Sequence, residues 1–241
     1  MWTLRPAAAI AILLVIAQPI RGQTPRTGDL ASWTIQKVIR DAESNKSAKT
    51  GITYRESSVE EEYGTDNVLR SRKPEQGFST RTVDGSAKSR VAGFELDLYE
   101  ILASTYNFWL ADTENATGLT VIDNKVYIVI DFTPREGLRF RNIPERFTQR
   151  LHGRIWVDVS GDRYYIYKME GRTTEFSFVY WKWDVIPIPI TIKSLRFTLN
   201  QERLESGVVV EKSAESTVIF DSLRNGRREY RYTFDNFTPK R

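Results

Sequence analysis

The chain has no cysteine and only one histidine. Without a thiol there is no thiol nucleophile, no thiolate metal site, no disulfide and no haem attachment through cysteine. There is also no cysteine to carry an acyl anchor after export. One His and no Cys give little on which to build a zinc site, and none is expected. A Ser-His-Asp triad would have to use His152. That residue lies in Leu151-His152-Gly153, at the start of a β-prone stretch, and no nucleophile-elbow sequence occurs anywhere. It reads as a surface or strand-edge histidine. Glycine-rich phosphate loops of the GxGxxG and Walker types are absent as well. These absences lead us to expect no cofactor, no metal and no catalytic centre.

Long apolar runs are scarce too. The longest, Ala7 to Ala17, follows Arg5 and ends at Gln18-Pro19. Spanning a bilayer takes about 20 residues. A charged start, a short apolar run and a small-residue exit make a secretory signal over 1–22, cut after Ala17 or after Gly22. The competing readings are a membrane anchor or a buried helix. Export predicts a periplasmic protein with no stable membrane anchor.

Charge of one sign is not in excess. Lys and Arg number 35 against 31 Asp and Glu, a formal net charge of +4. Basic and acidic residues alternate instead of forming the clustered face of a nucleic-acid binder, so nucleic acid is not expected as a partner. The densest basic stretch, Thr133 to Arg150, is diluted by Glu136 and Glu145 and reads as a solvated connection.

What is present is periodicity. Ala31, Ile35, Val38, Ile39 and Ala42 share one face of a helix with Asp29 as N-cap and Ser44-Asn45 as its end. A second helix is predicted over Phe94 to Ser104, with Phe94, Leu98, Ile101 and Leu102 on one face. Around them the period is two. Strands are expected from Ile52, from Val68 and Gly77, over Tyr106 to Leu110 and Lys125 to Phe132, then over 151–158, 163–170, 173–181, 190–200, 207–221 and 226–237. Turn signals at Tyr63-Gly64-Thr65-Asp66-Asn67, Ser160-Gly161-Asp162, Ser206-Gly207 and Asn225-Gly226 make these an antiparallel meander. No interdomain linker is visible, so residues 23–241 form one domain of α+β class.

The order of elements, a leading amphipathic helix, polar strands, a second helix and a closing meander, resembles the bacterial outer-membrane lipoprotein-sorting superfamily, which includes LolA, LolB and RseB. The stretches that carry the likeness are Thr53-Tyr54-Arg55-Glu56, Tyr106-Asn107-Phe108 with Gly118, Asp131-Phe132-Thr133-Pro134-Arg135, Gly153-Arg154-Ile155-Trp156-Val157-Asp158, and Tyr230 to Phe237. The resemblance implies a single strongly curved antiparallel sheet, a half-barrel, with helices covering its concave face. It also implies a cavity there. Ile128, Ile130, Phe132, Ile155, Val157, Tyr165, Tyr167, Phe176 and Phe178 are the candidate inner residues, subject to strand register. Two features depart from the family: the lipoprotein members have the cysteine this chain lacks, and no lipoprotein-handling residue of LolA has a counterpart here.

Three functions follow. The leading expectation is a noncovalent carrier of lipid, lipoprotein acyl chains or another apolar ligand. The alternative is a structural or signalling module, with a packed core, that binds an envelope protein. An envelope hydrolase comes third. A large apolar cavity marks the first, a filled interior the second and a cleft of converging carboxylates the third. Ile186-Pro187-Ile188-Pro189-Ile190, beside Trp181-Lys182-Trp183, is either an apolar rim or a rigid extended connection.

Overall fold

The computed structural model describes residues 27–239 apart from 74–78, 83–87, 93, 114–117, 139–146, 183–185 and 222–225. Within it, 79–82, 88, 94–95, 178–182, 186–190 and a few terminal positions are described in backbone only. The expected leader, 1–22, lies outside the described residues. No described helix is long and apolar enough to cross a membrane.

Helix α1 spans Thr27–Lys49. Its expected apolar stripe is present: Ala31, Ile35 and Val38 are buried, and Ile39 and Ala42 pack beside them. The helix runs past its expected end at Asn45. Asn45 does not cap it; its side-chain amide donates to the Val209 carbonyl (2.9 Å) and accepts from the Val209 N–H (3.2 Å). That two-point clasp carries the helix one turn further, to Gly51 at φ 87°, where the left-handed backbone stops it. Asp41, one turn before Asn45, pairs with Lys37 and accepts from the Tyr164 N–H at 2.7 Å. The helix is thus fixed at two depths by polar contacts beside its apolar stripe.

The strands are β1 (Ile52–Tyr63), β2 (Leu69–Lys73), β3 (Ser79–Thr82), β4 (Lys88–Val91), β5 (Phe94–Asp97), β6 (Tyr106–Leu110), β7 (Leu119–Ile122) and β8 (Lys125–Pro134) in the first half. The second half contributes β9 (Leu151–Asp158), β10 (Tyr165–Thr173), β11 (Phe176–Lys182), β12 (Ile186–Arg203), β13 (Val209–Asp221) and β14 (Gly226–Pro239). Twelve of them form one antiparallel sheet in the order β2-β1-β14-β13-β12-β10-β9-β8-β6. β3 shares the outer edge of β1 with β2, and β7 shares the edge of β8 with β6. The sheet is open, since its two ends do not pair. Strand β12 is long enough to serve β11 with its first half and β10 with its second.

One element departs from expectation. The second helix, α2, is Leu98–Thr105, and Phe94–Asp97 is a strand paired with β4. Asp97 sets the boundary: it is the N-cap, and its side chain accepts from the Glu100 N–H at 3.1 Å. The acceptor at Ncap and Glu three residues on follow the capping-box spacing, which the apolar period alone did not resolve. The Pro pair is part of β12: Pro187 stands opposite Trp181, and Pro189 opposite Val179. Proline has no N–H to donate, so the N–H donors of this stretch come from Ile186, Ile188 and Ile190.

Both helices lie on one face of the sheet. Leu102 and Tyr99 of α2 and the α1 stripe join Ile130, Ile155, Met169, Leu195 and Leu199 in one core. Each large apolar side chain fully buried there stabilises the fold by about 1.5–3 kcal/mol.

Candidate binding groove on the open face of the sheet

Register decides which side chains reach the core. Ile128, Val157 and Ile166 stand in one row across β8, β9 and β10, and Ile130, Ile155 and Met169 in another. All six are buried in the helix-covered core. Phe132 is also there, its ring edge-on to Tyr106 at 4.9 Å. Phe176 packs against the same core through the row of Ile192. The side chain of Phe178 lies outside the described residues.

Tyr165 and Tyr167 do not join them, which corrects their expected inward placement. Tyr165 stands opposite Asp158, itself opposite Tyr127, on the other face. A bulge between Ile166 and Lys168 adds one residue to β10, so Ile166 and Met169 are the inward residues. Tyr167 stacks on Tyr127 at 4.7 Å, and Arg203 lies 4.8 Å over the Tyr165 ring. Burial raises the Tyr165 hydroxyl well above its ordinary pKa, with Asp158 adding to the effect.

The inner face is filled where it is described. Two voids of about 10 Å³ occur, one between α2, β6 and β10 and one beside Asn45, each room for at most a single water. Beside Ser89, which lines the first void, sits an acid with little support. Glu211, on β13, accepts from the Ser89 hydroxyl and the Arg90 backbone N–H and faces Lys49. Its Oε1 is shut off from water with no hydrogen-bond partner. Burial pushes its carboxyl up to about 7, and burial lowers the Lys49 ammonium.

The opposite face carries the open feature. A groove of about 640 Å³ crosses β6, β8, β9, β10 and β12, with Trp109, Trp156, His152, Arg172 and Arg196 among its walls. The same alternation that sends Ile155 and Val157 inward turns Arg154 and Trp156 into this groove. Phe132, Gly153, Gly171 and Phe197 stand in one row beneath it. A Cβ on Gly171 would lie 2.2 Å from the Phe197 ring, and one on Gly153 only 1.9 Å from the Glu170 carbonyl oxygen. Only glycine allows this approach.

The charges of the groove are mostly matched. Arg154 grips Asp131 with two hydrogen bonds of 2.7 and 3.0 Å, and that bond raises the Arg154 pKa further. Lys168 pairs with Glu170 at 2.6 Å and lies 5.0 Å over the Trp156 ring. The Arg172 Nε donates to His152 Nε2 at 3.0 Å, so His152 acts as an acceptor through that nitrogen. Arg196 is exposed, and no ion pair or hydrogen bond holds it among the described residues.

The acidic run on β1 is occupied. Glu60, Glu61 and Glu62 pair with Lys73, Arg231 and Arg228 on neighbouring strands, so the acidic run is a cross-strand charge ladder. Sequence reasoning missed the groove because its residues come from five strands. The visible signal was the alternation of Arg154 and Trp156 with Ile155 and Val157, together with exposed-strand arginines at 172 and 196. No protein-family model matches the chain, and no curated protein matches it in sequence.

Proposed function

We propose that this chain is a noncatalytic binding module that engages a partner protein through the groove on the helix-free face of its sheet. The observation that carries the reading is the contrast between the two faces among the described residues: about 640 Å³ open on one and voids of about 10 Å³ on the other. An acyl carrier needs room under its helices. Here the inner row of Ile130, Ile155 and Phe132 occupies that room. The wall chemistry supports a protein partner, since Trp and Arg dominate the energetics of protein interfaces and Trp109 is 40% exposed. The open antiparallel sheet with helices on one face is in keeping with a LolA-like half-barrel, and we read the chain as a member of that superfamily that has kept the scaffold and moved its binding surface outward. The apolar leader supports work in the periplasm, on an envelope protein.

Site-specific photocross-linking tests this in cells that produce the protein. A photoreactive residue at position 109 or 198 should give a discrete adduct with one partner. The same residue at position 219, which is exposed on the groove's side of the sheet's neighbouring strands but outside the groove, should not. Equal labelling from all three positions, or none from the groove, refutes the reading. Stoichiometric lipid in organic extracts of the purified protein would restore the carrier.

A further inference from the structure

The groove has a charge arrangement that selects among partners. Arg172 and Arg196 are directly opposed on β10 and β12, and both are exposed. Like charges directly opposite on a sheet face destabilise it. The other arginine of the groove has a carboxylate, Arg154 with Asp131, and Lys168 next to the groove pairs with Glu170. Among the described residues Arg172 has the accepting ring nitrogen of His152, at 3.0 Å, and no paired carboxylate. Arg196 has no partner among the described residues. Two adjacent guanidiniums are therefore left without a paired carboxylate among the described residues, in a concavity of ligand size.

Resting on the groove as the binding face, we propose that it recognises an acidic peptide segment of the partner, with carboxylates two residues apart bound by Arg172 and Arg196. Guanidinium forks bind carboxylates through paired, charge-assisted hydrogen bonds. Neighbouring strands lie about 4.8 Å apart, and side chains two apart on an extended peptide repeat at about 6.7 Å. Long arginine side chains cover that difference. Trp109 and Trp156 supply an apolar wall for the residues that flank the acids.

The surroundings disfavour a uniformly charged polymer. Glu170 stands beside Arg172 two residues back on the same strand face, and Asp131 crosses the groove opposite Arg154. A nucleic acid or polyuronate, charged at every repeat, would bring anions against these carboxylates. A peptide with two acids among uncharged residues avoids them. The strand amides of β8, β9, β10 and β12 beneath the groove are committed to the ladder, so a peptide lying over Arg172 and Arg196 is read by side chains and not by strand addition.

The test is a titration of the full chain, followed by its tryptophan fluorescence. The probes are an acetylated peptide with a Glu-Val-Glu-Leu core and no tryptophan, its Gln-Val-Gln-Leu counterpart, oligogalacturonate and pyrophosphate. The acidic peptide should bind saturably and at least tenfold more tightly than the Gln peptide. Arg172→Ala and Arg196→Ala should each weaken it at least fivefold, with Arg172→Lys recovering part of the loss. Both arginines are exposed, so circular dichroism should show these variants folded. Equal binding of the two peptides, or no loss in the double Arg variant, overturns the acidic selectivity. Tighter binding of oligogalacturonate or pyrophosphate overturns the choice of a peptide. If neither peptide binds but position 109 still cross-links to a partner, the groove reading stands and the acidic segment falls. If the cross-link fails too, both fall.

Discussion

Replacing Glu211 by Gln should stabilise the protein above neutral pH and leave it unchanged in acid. The folded carboxyl has its pKa raised from 4.5 to about 7, chiefly by burial. A raised acid favours protonation in the folded state, so the folded chain binds more protons than the unfolded one between these values. Stability therefore falls as pH rises through that window and levels off above it. The full span corresponds to about 3 kcal/mol, at roughly 1.36 kcal/mol for each tenfold change in proton affinity. About 2 kcal/mol of that lies between about pH 5 and pH 8. Gln keeps an acceptor for Ser89 and Arg90 and replaces the unpartnered Oε1 with a group that carries no charge. Urea denaturation of wild type and Glu211→Gln at both pH values measures the effect. The variant should be more stable by no more than about 1 kcal/mol near pH 5 and by about 3 kcal/mol near pH 8. Lys49 partly screens the carboxylate, so Lys49→Met in the wild-type background should steepen the pH dependence. Wild-type and Glu211→Gln curves that superimpose at both pH values would refute the argument that this acid is poorly solvated.

The remaining predictions concern the scaffold beneath the groove. Gly171→Ala places a methyl 2.2 Å from the buried Phe197 ring, and overpacking of this kind costs about 1–3 kcal/mol, so the melting temperature should drop by roughly 5 °C. Adding Phe197→Leu should return part of that loss, and a Gly171→Ala protein that melts like wild type would show that the ring is free to move. Phe132→Ala removes a ring that is 1% exposed and should cost about 3–5 kcal/mol in urea denaturation, whereas Trp109→Ala in the groove should stay within about 1 kcal/mol. Comparable losses at the two positions would contradict the assignment of one face to core and the other to binding.

The sequence alone determined the class of structure. Apolar period fixed the α1 stripe, because Ala31, Ile35 and Val38 can share a buried face in only one backbone geometry. Alternation and turn residues fixed the long antiparallel strands, and Asn67, at φ 61°, sits in the turn its neighbours announced. That Ile130 shares a strand face with Phe132, and Ile155 with Val157, was legible for the same reason, but which face the helices cover was not. Three things were decided only by tertiary structure. The bulge after Ile166 reversed Tyr165 and Tyr167, since one inserted residue flips every side chain beyond it and no local signal marks it. Asn45 prolonged α1 through a bond to Val209, a residue 164 positions away. The groove itself exists only because pairing sets β6, β8, β9, β10 and β12 side by side. Each of its residues looks like an ordinary exposed strand position in sequence. What distinguishes Arg172 and Arg196 is that they face each other with no paired carboxylate among the described residues, and that relation is a property of register between strands.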